Sequence, residues 1–313
     1  MEKFEDFYVR FAAKASKNTG PELLNQVNSR HMIKQLYRFL HPRFEKLFLE
    51  YRMDFRPRYG HGKPPHPLLY ELIEQQRTVY RDLLQKALGY REQLWQIRDA
   101  ADESDPLQPA WNNRFLPGLD IVSIYTMLAE FKPRQYIEIG SGNSTKVAHK
   151  AKKEQGLATV ITSIDPRPRA EIDSLADVVI RKPLEEVDLA SLPVPEENDI
   201  LFIDNSHYLL PNSDCTVFFM ELLPRLKKGV LVHIHDVYLP YDYPQFMCDR
   251  YYSEQYALAA FLMANPVRYR PLLPNYFISE DPELSAILSP LWDHPVAGKA
   301  ERHGGSFWLQ IGE

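Results

Sequence analysis

Two acid–histidine pairs carry the reactive chemistry of this sequence. Asp204 closes the apolar run Ile200-Leu201-Phe202-Ile203, and His207 follows three residues later. Asp236 closes Leu231-Val232-His233-Ile234-His235. Two carboxylates from neighbouring strand ends make a hard oxygen site that suits Mg²⁺. Imidazole donors move the preference toward Mn²⁺, Fe²⁺ or Zn²⁺. A cation bound there acidifies a coordinated hydroxyl, and an adjacent base then takes its proton. In that reading Asp204, Asp236 and His235 hold the divalent cation, and His207, with Asp204 beside it, is the catalytic base. The plain alternative is that each Asp only caps the loop after its strand. His233 alternates with His235 on one face and lies deeper, where a core histidine is the expected role.

A second constellation lies upstream. Tyr136-Ile137-Glu138-Ile139 runs into Gly140-Ser141-Gly142-Asn143-Ser144-Thr145, a buried strand entering a glycine turn and then a helix. Glycines let a ligand approach the backbone closely. In a dinucleotide turn a third glycine follows, allowing close helix–strand packing. Here that position is Thr145. The acid Glu138 would repel a pyrophosphate and suits a cationic ligand with an amino group, which points to S-adenosylmethionine rather than a nicotinamide cofactor. Glu138, Gly140, Ser141, Gly142 and Ser144 are the expected cofactor contacts. Asp165, closing the next apolar run, is placed to accept both ribose hydroxyls. Leu184 and Glu185, after a third run ending at Ile180, are placed to flank the adenine, or else simply start a helix.

The elements that must position these residues are short apolar strands separated by helical segments. They span 160–165, 177–180, 199–204 and 229–236, after the strand at 136–139. That alternation gives a parallel α/β sheet, in which ligands bind at the carboxyl ends of the strands.

With these motifs in place the chain resembles the class I S-adenosylmethionine-dependent methyltransferases over roughly residues 110–313. The Phe-Ile-Asp204-Asn-Ser-His207 and His-Ile-His235-Asp236 segments resemble the metal-dependent O-methyltransferases that act on sugars in macrolide biosynthesis. In that group an acidic pair follows the fifth strand, where this chain has His235-Asp236. The resemblance implies a Rossmann-like seven-stranded sheet in the order 3-2-1-4-5-7-6, whose last two strands are an antiparallel hairpin. Segments near 276–278 and 306–311 are expected to form it. The implied activity is metal-assisted methylation of a small-molecule hydroxyl. Metal-independent N- or C-methylation and a non-catalytic methyltransferase-like assembly subunit are the alternatives.

Composition narrows the partners. The 313 residues carry a net charge of −5 and a pI of about 6.1, which lacks the basic footprint of a nucleic-acid binder. Two cysteines, Cys215 and Cys248, make no disulfide framework, and a reducing, cytoplasmic setting is expected. No window is long and apolar enough to span a membrane. Residues 1–109 are read as a helical extension, a cap or a surface for homo-oligomers, with helices over 21–52 and 67–98. A loop carrying His61 and His66 separates the two helices. Tyr238, Tyr241 and Tyr243 suit a substrate rim.

Overall fold

A computed structural model describes residues 37, 39–42 and 47–313. The chain forms two compact units, Met1–Asp54 and Phe55–Glu313. In the first, Tyr37, Phe39 and Leu40 are helical, while residues 41–42 and 47–52 are not; the rest of the helix expected over 21–52 lies outside the described residues.

The second unit takes in the residues from Phe55 to 109 that the sequence reading joined to the extension. The single helix expected over 67–98 is three: α1 (Pro67–Glu74), α2 (Arg77–Leu88) and a four-residue turn at Arg91–Leu94. No proline or glycine marks the first break. Instead the Ile73 carbonyl accepts hydrogen bonds from the Tyr80 hydroxyl (2.7 Å) and the Gln76 amide (3.2 Å), which satisfy it off the helical ladder. The second break follows Gly89, a poor helix former. Leu69, Ile73, Leu83 and Leu84 are buried in the same core as the sheet.

That sheet contains β1 (Gln135–Ile139), β2 (Val160–Ile164), β3 (Val178–Ile180), β4 (Ile200–Ile203), β5 (Leu231–Ile234), β6 (Tyr269–Pro274) and β7 (Phe307–Ile311). Their spatial order is β3-β2-β1-β4-β5-β7-β6, the order the resemblance implies. The first five strands are parallel, and β7 runs antiparallel between β5 and β6. Parallel strands covered on both faces read as unbroken apolar runs, and every residue of β4 and β5 is buried. The connections hold less helix than expected: short 3-10 turns at Asp173–Leu175, Leu184–Glu186 and Leu189–Ser191 stand before and after β3.

One strand is displaced from its expected place. Tyr276-Phe277-Ile278 is helical, within Asn275–Glu280, and the edge strand is the proline-bearing 269–274 just before it. Prolines are tolerated at a sheet edge because no ladder donor is needed there. The helix starts at a fully buried Asn275 whose side chain donates to Asp120 (2.7 Å) and Ser123 (3.0 Å). That tertiary anchor overrides the strand propensity of the aromatic run.

Register fixes the functional edge. Ile139 pairs with Ile164 and Ile203, and Ile203 with Ile234. The residues that follow, Gly140, Asp165, Asp204 and His235, therefore share the carboxyl edge of the sheet. Two further helices serve it: α3 (Gly118–Phe131), before β1, and α4 (Asn143–Glu154), after the glycine turn.

Candidate active site

The glycine turn is tied to both neighbouring strands. Gly140 has φ +79°, a left-handed conformation that favours glycine. A Cβ at this position would lie 1.7 Å from the Asp204 carbonyl oxygen. The glycine thus serves the approach of β1 to β4, where the sequence suggested it served room for a ligand. Beside it, Gly142 has nothing within 4 Å of a Cβ position, so this side of the turn is open. Asp165 Oδ2 accepts from the Ser141 amide (2.9 Å) and its Oδ1 from the Arg167 amide (2.7 Å), leaving lone pairs on a half-exposed carboxylate. Ser141 and Ser144 are buried, and the Ser141 hydroxyl meets that of Ser163 at 2.7 Å.

Glu138 is fully buried. It accepts hydrogen bonds from the Thr145 and Tyr136 hydroxyls, and Thr145 Oγ1 accepts in turn from the Gly142 amide at 3.1 Å. The residue standing at the third-glycine position therefore links the turn to the acid behind it. Burial pushes the Glu138 carboxyl up to about 8, against the opposing bonds from Ser144 and Thr145. Leu184 is buried at the 3-10 turn after β3.

The acid–histidine pairs converge at the ends of β4 and β5. His207 Nε2 stands 3.5 Å from Asp204 Oδ1 and 3.4 Å from Asp236 Oδ2. His235 Nδ1 stands 3.5 Å from Asp204 Oδ1 and 3.6 Å from Asp236 Oδ1. Asp204, with its side chain 39% exposed, is the open face of the group, while both histidine side chains are under a tenth exposed. His207 and Asp236 adopt left-handed φ values of 64° and 56°, a backbone cost of about 1–3 kcal/mol each that clusters at functional sites. Among the described residues no three His, Cys, Asp or Glu side chains are arranged as a formed metal-holding group.

Two buried carboxylates that no motif announced stand behind the rings. Glu254, at the start of α5 (Glu254–Ala264), is hydrogen-bonded to His207 Nδ1. Asp120, in the first turn of α3, lies 3.5 Å from His235 Nε2 and accepts from the Gly305 amide at 2.8 Å. Their effect on proton affinity is clear in direction. Burial alone would lower the His207 imidazole, but Glu254, Asp236 and Asp204 raise it to about 9. His235 is likewise raised, against burial, by Asp236 and Asp204. Asp204, despite desolvation, is held below the usual carboxylate range by His235 and His207. His233 takes the opposite course. It stacks on Phe202 (4.2 Å), and burial drives it down to about 3, as a neutral core residue.

The tyrosine rim is only partly as expected. Tyr243 is fully buried and its hydroxyl accepts from the Gln255 amide at 3.2 Å, so it belongs to the interior. Tyr241 is half-buried, and Tyr238 packs on Tyr276 at 4.5 Å. The His61 and His66 loop is latched to this segment: Asp242 Oδ2 accepts from the Arg58 (2.6 Å) and Tyr59 (3.0 Å) amides.

The family profile for a methyltransferase domain matches residues 137–237, the stretch that carries the turn and both acid–histidine pairs. No curated protein matches the sequence. Among solved structures, one titled "cmcI-N160 SAH" is 16% identical with a TM-score of 0.33, covering 60% of this chain and 74% of its own. Another, the plantazolicin methyltransferase BpumL in complex with SAH, is 13% identical with a TM-score of 0.41, covering 79% and 100%. Likenesses this slight carry no inference. The matched stretch falls on a sheet with the strand order that the resemblance to class I S-adenosylmethionine-dependent methyltransferases implies.

Proposed function

We propose that the protein transfers the methyl group of S-adenosylmethionine to a hydroxyl of a small molecule, with His207 as the proton acceptor. The observation that carries this reading is His207 Nε2, set 3.4–3.5 Å from two carboxylates at the strand ends beside the glycine turn. The turn supports the cofactor: the space beside Gly142 is open, and Asp165 keeps lone pairs free for ribose hydroxyls. Methyl transfer from a sulfonium is an in-line displacement, so the protein mainly orients the acceptor and takes its proton. Asp204, the exposed member of the cluster, is placed to receive the acceptor hydroxyl. The ring of His207 acts from the fraction that has released its own proton.

A divalent cation is the finer part of the proposal. Asp204, Asp236 and His235 are the residues that would hold it. Two carboxylates beside a buried imidazole whose nitrogens both lack a hydrogen-bond partner suit such an ion in kind. Bound there, it would acidify the acceptor hydroxyl and lower the proton affinity of His207.

Calorimetry with S-adenosylmethionine, S-adenosylhomocysteine and NAD tests the cofactor. The first two should bind and NAD should not; the reverse would end this reading. Native mass spectrometry of the purified protein, before and after a strong chelator, tests the metal. A panel of polyhydroxylated acceptors assayed for transfer of labelled methyl tests the substrate class.

A further inference from the structure

Glu254 has no part in the proposed methyl transfer. It is fully buried, and an unpaired buried carboxylate costs several kcal/mol. Its close partner is His207 Nδ1; the Cys215 thiol lies farther off at 4.0 Å. Backbone contacts already hold the surrounding chain. The Ser253 amide donates to the His207 carbonyl (2.9 Å), the Leu209 amide to Ser253 Oγ (2.9 Å), and the His207 amide to Asn205 Oδ1 (2.9 Å). The loop is therefore stitched to the start of α5 without the carboxylate. What Glu254 adds is a fixed direction for the imidazole ring, whose other face meets Tyr252 at 4.4 Å between ring centres.

We propose that Glu254 is a positioning residue that claims Nδ1 of His207, so that the ring presents only Nε2 to Asp204 and Asp236. This rests on the reading of His207 as a site residue. The logic is that of a histidine held in one tautomer and orientation by a carboxylate behind it. Asp120 approaches His235 Nε2 only to 3.5 Å and makes no hydrogen bond with it, so the fixed ring is that of His207. The pattern had no signature in the sequence, because Glu254 lies 47 positions beyond His207.

The test is a long-range ¹H–¹⁵N correlation of the histidine rings in the full-length labelled protein, with His207→Asn used to assign the signals. Wild type should show a proton on His207 Nδ1, shifted far downfield by a charge-assisted hydrogen bond. In Glu254→Gln that proton should move upfield and the ring should populate both tautomers, while affinity for S-adenosylhomocysteine and the melting temperature hold. A merely structural Glu254 would instead lower the melting temperature and leave the His207 ring in a single tautomer. That result would overturn the proposal. So would the absence of the downfield proton in wild type, a measurement that needs no variant. Failure of wild type to bind S-adenosylhomocysteine, with the ring signature present, would remove the functional reading and leave the positioning contact standing.

Discussion

Replacing Glu138 by Gln should make the protein less sensitive to alkaline pH, and the size of the effect follows from burial. The carboxyl titrates near 8 in the fold and at 4.5 ordinarily, because desolvation outweighs the hydroxyl bonds it accepts. The gap between 8 and 4.5, at about 1.4 kcal/mol per pH unit, amounts to on the order of 5 kcal/mol. The sign is set by proton binding. Between these pH values the folded chain holds a proton that the unfolded chain has released, so stability falls as pH rises. The contribution is fully present below 4.5 and gone once the pH passes 8. Glutamine keeps the shape of the protonated acid and can still bond both neighbours, its carbonyl accepting from Thr145 and its amide donating to the Tyr136 hydroxyl. Urea unfolding of both proteins at pH 5, 7 and 9 measures the outcome. The wild-type stability should fall relative to the variant by about 1.4 kcal/mol per pH unit within the window. Parallel curves for the two proteins would refute the reasoning, since they would mean that Glu138 ionises in place at no cost.

Other outcomes follow from the same geometry. Gly140→Val should cost on the order of 3 kcal/mol or more, because its Cβ would fall on the Asp204 carbonyl and its φ is left-handed; an unchanged urea midpoint would contradict this. His233→Phe should be neutral or stabilising by about 1 kcal/mol, since both ring nitrogens are buried without partners, and a melting curve shifted well downward would count against a core role. Asp204→Asn and Asp236→Asn should each weaken Mn²⁺ binding by about tenfold or more in calorimetry of chelator-stripped protein; equal affinity would remove them as ligands. His207→Ala should slow methyl transfer about 10²–10⁴-fold without weakening S-adenosylmethionine binding, and a full-rate variant would exclude it as the base.

The sequence disclosed the parts of this molecule that are local. The apolar runs that enter Gly140, that end at Ile180 and that close on Asp165, Asp204 and Asp236 are short-range patterns, and they located the strands of the parallel half of the sheet and its carboxyl edge. The antiparallel half was harder. Tyr276-Phe277-Ile278 has strand composition, yet Asn275, bonded to Asp120 and Ser123, makes it the first turn of a helix. Partners distant in sequence were invisible. Asp120 and Glu254 reach the histidines from helices far along the chain and carry no spacing rule. The role of Thr145 was legible only as a missing glycine; its hydroxyl bridge to Glu138 depends on the turn being formed. Tyr243 shared a Pro-flanked aromatic segment with Tyr238 and Tyr241, and composition alone could not separate the inward ring from its neighbours.

The antiparallel strand β7 has a consequence for assembly. It is the last of the sheet's seven strands in sequence but lies inside the sheet, between β5 and β6. Until residues 307–311 have been synthesised, β5 and β6 each present an unpaired edge of buried-type residues. Such edges are templates for pairing with other chains. The nascent protein therefore passes through a stage in which most of its core sequence exists and its sheet has a gap, held open by contacts distant in sequence and slow to form. Demand for chaperone protection should be concentrated in that interval, and truncation before Phe307 should trade a closed sheet for an aggregation-prone one.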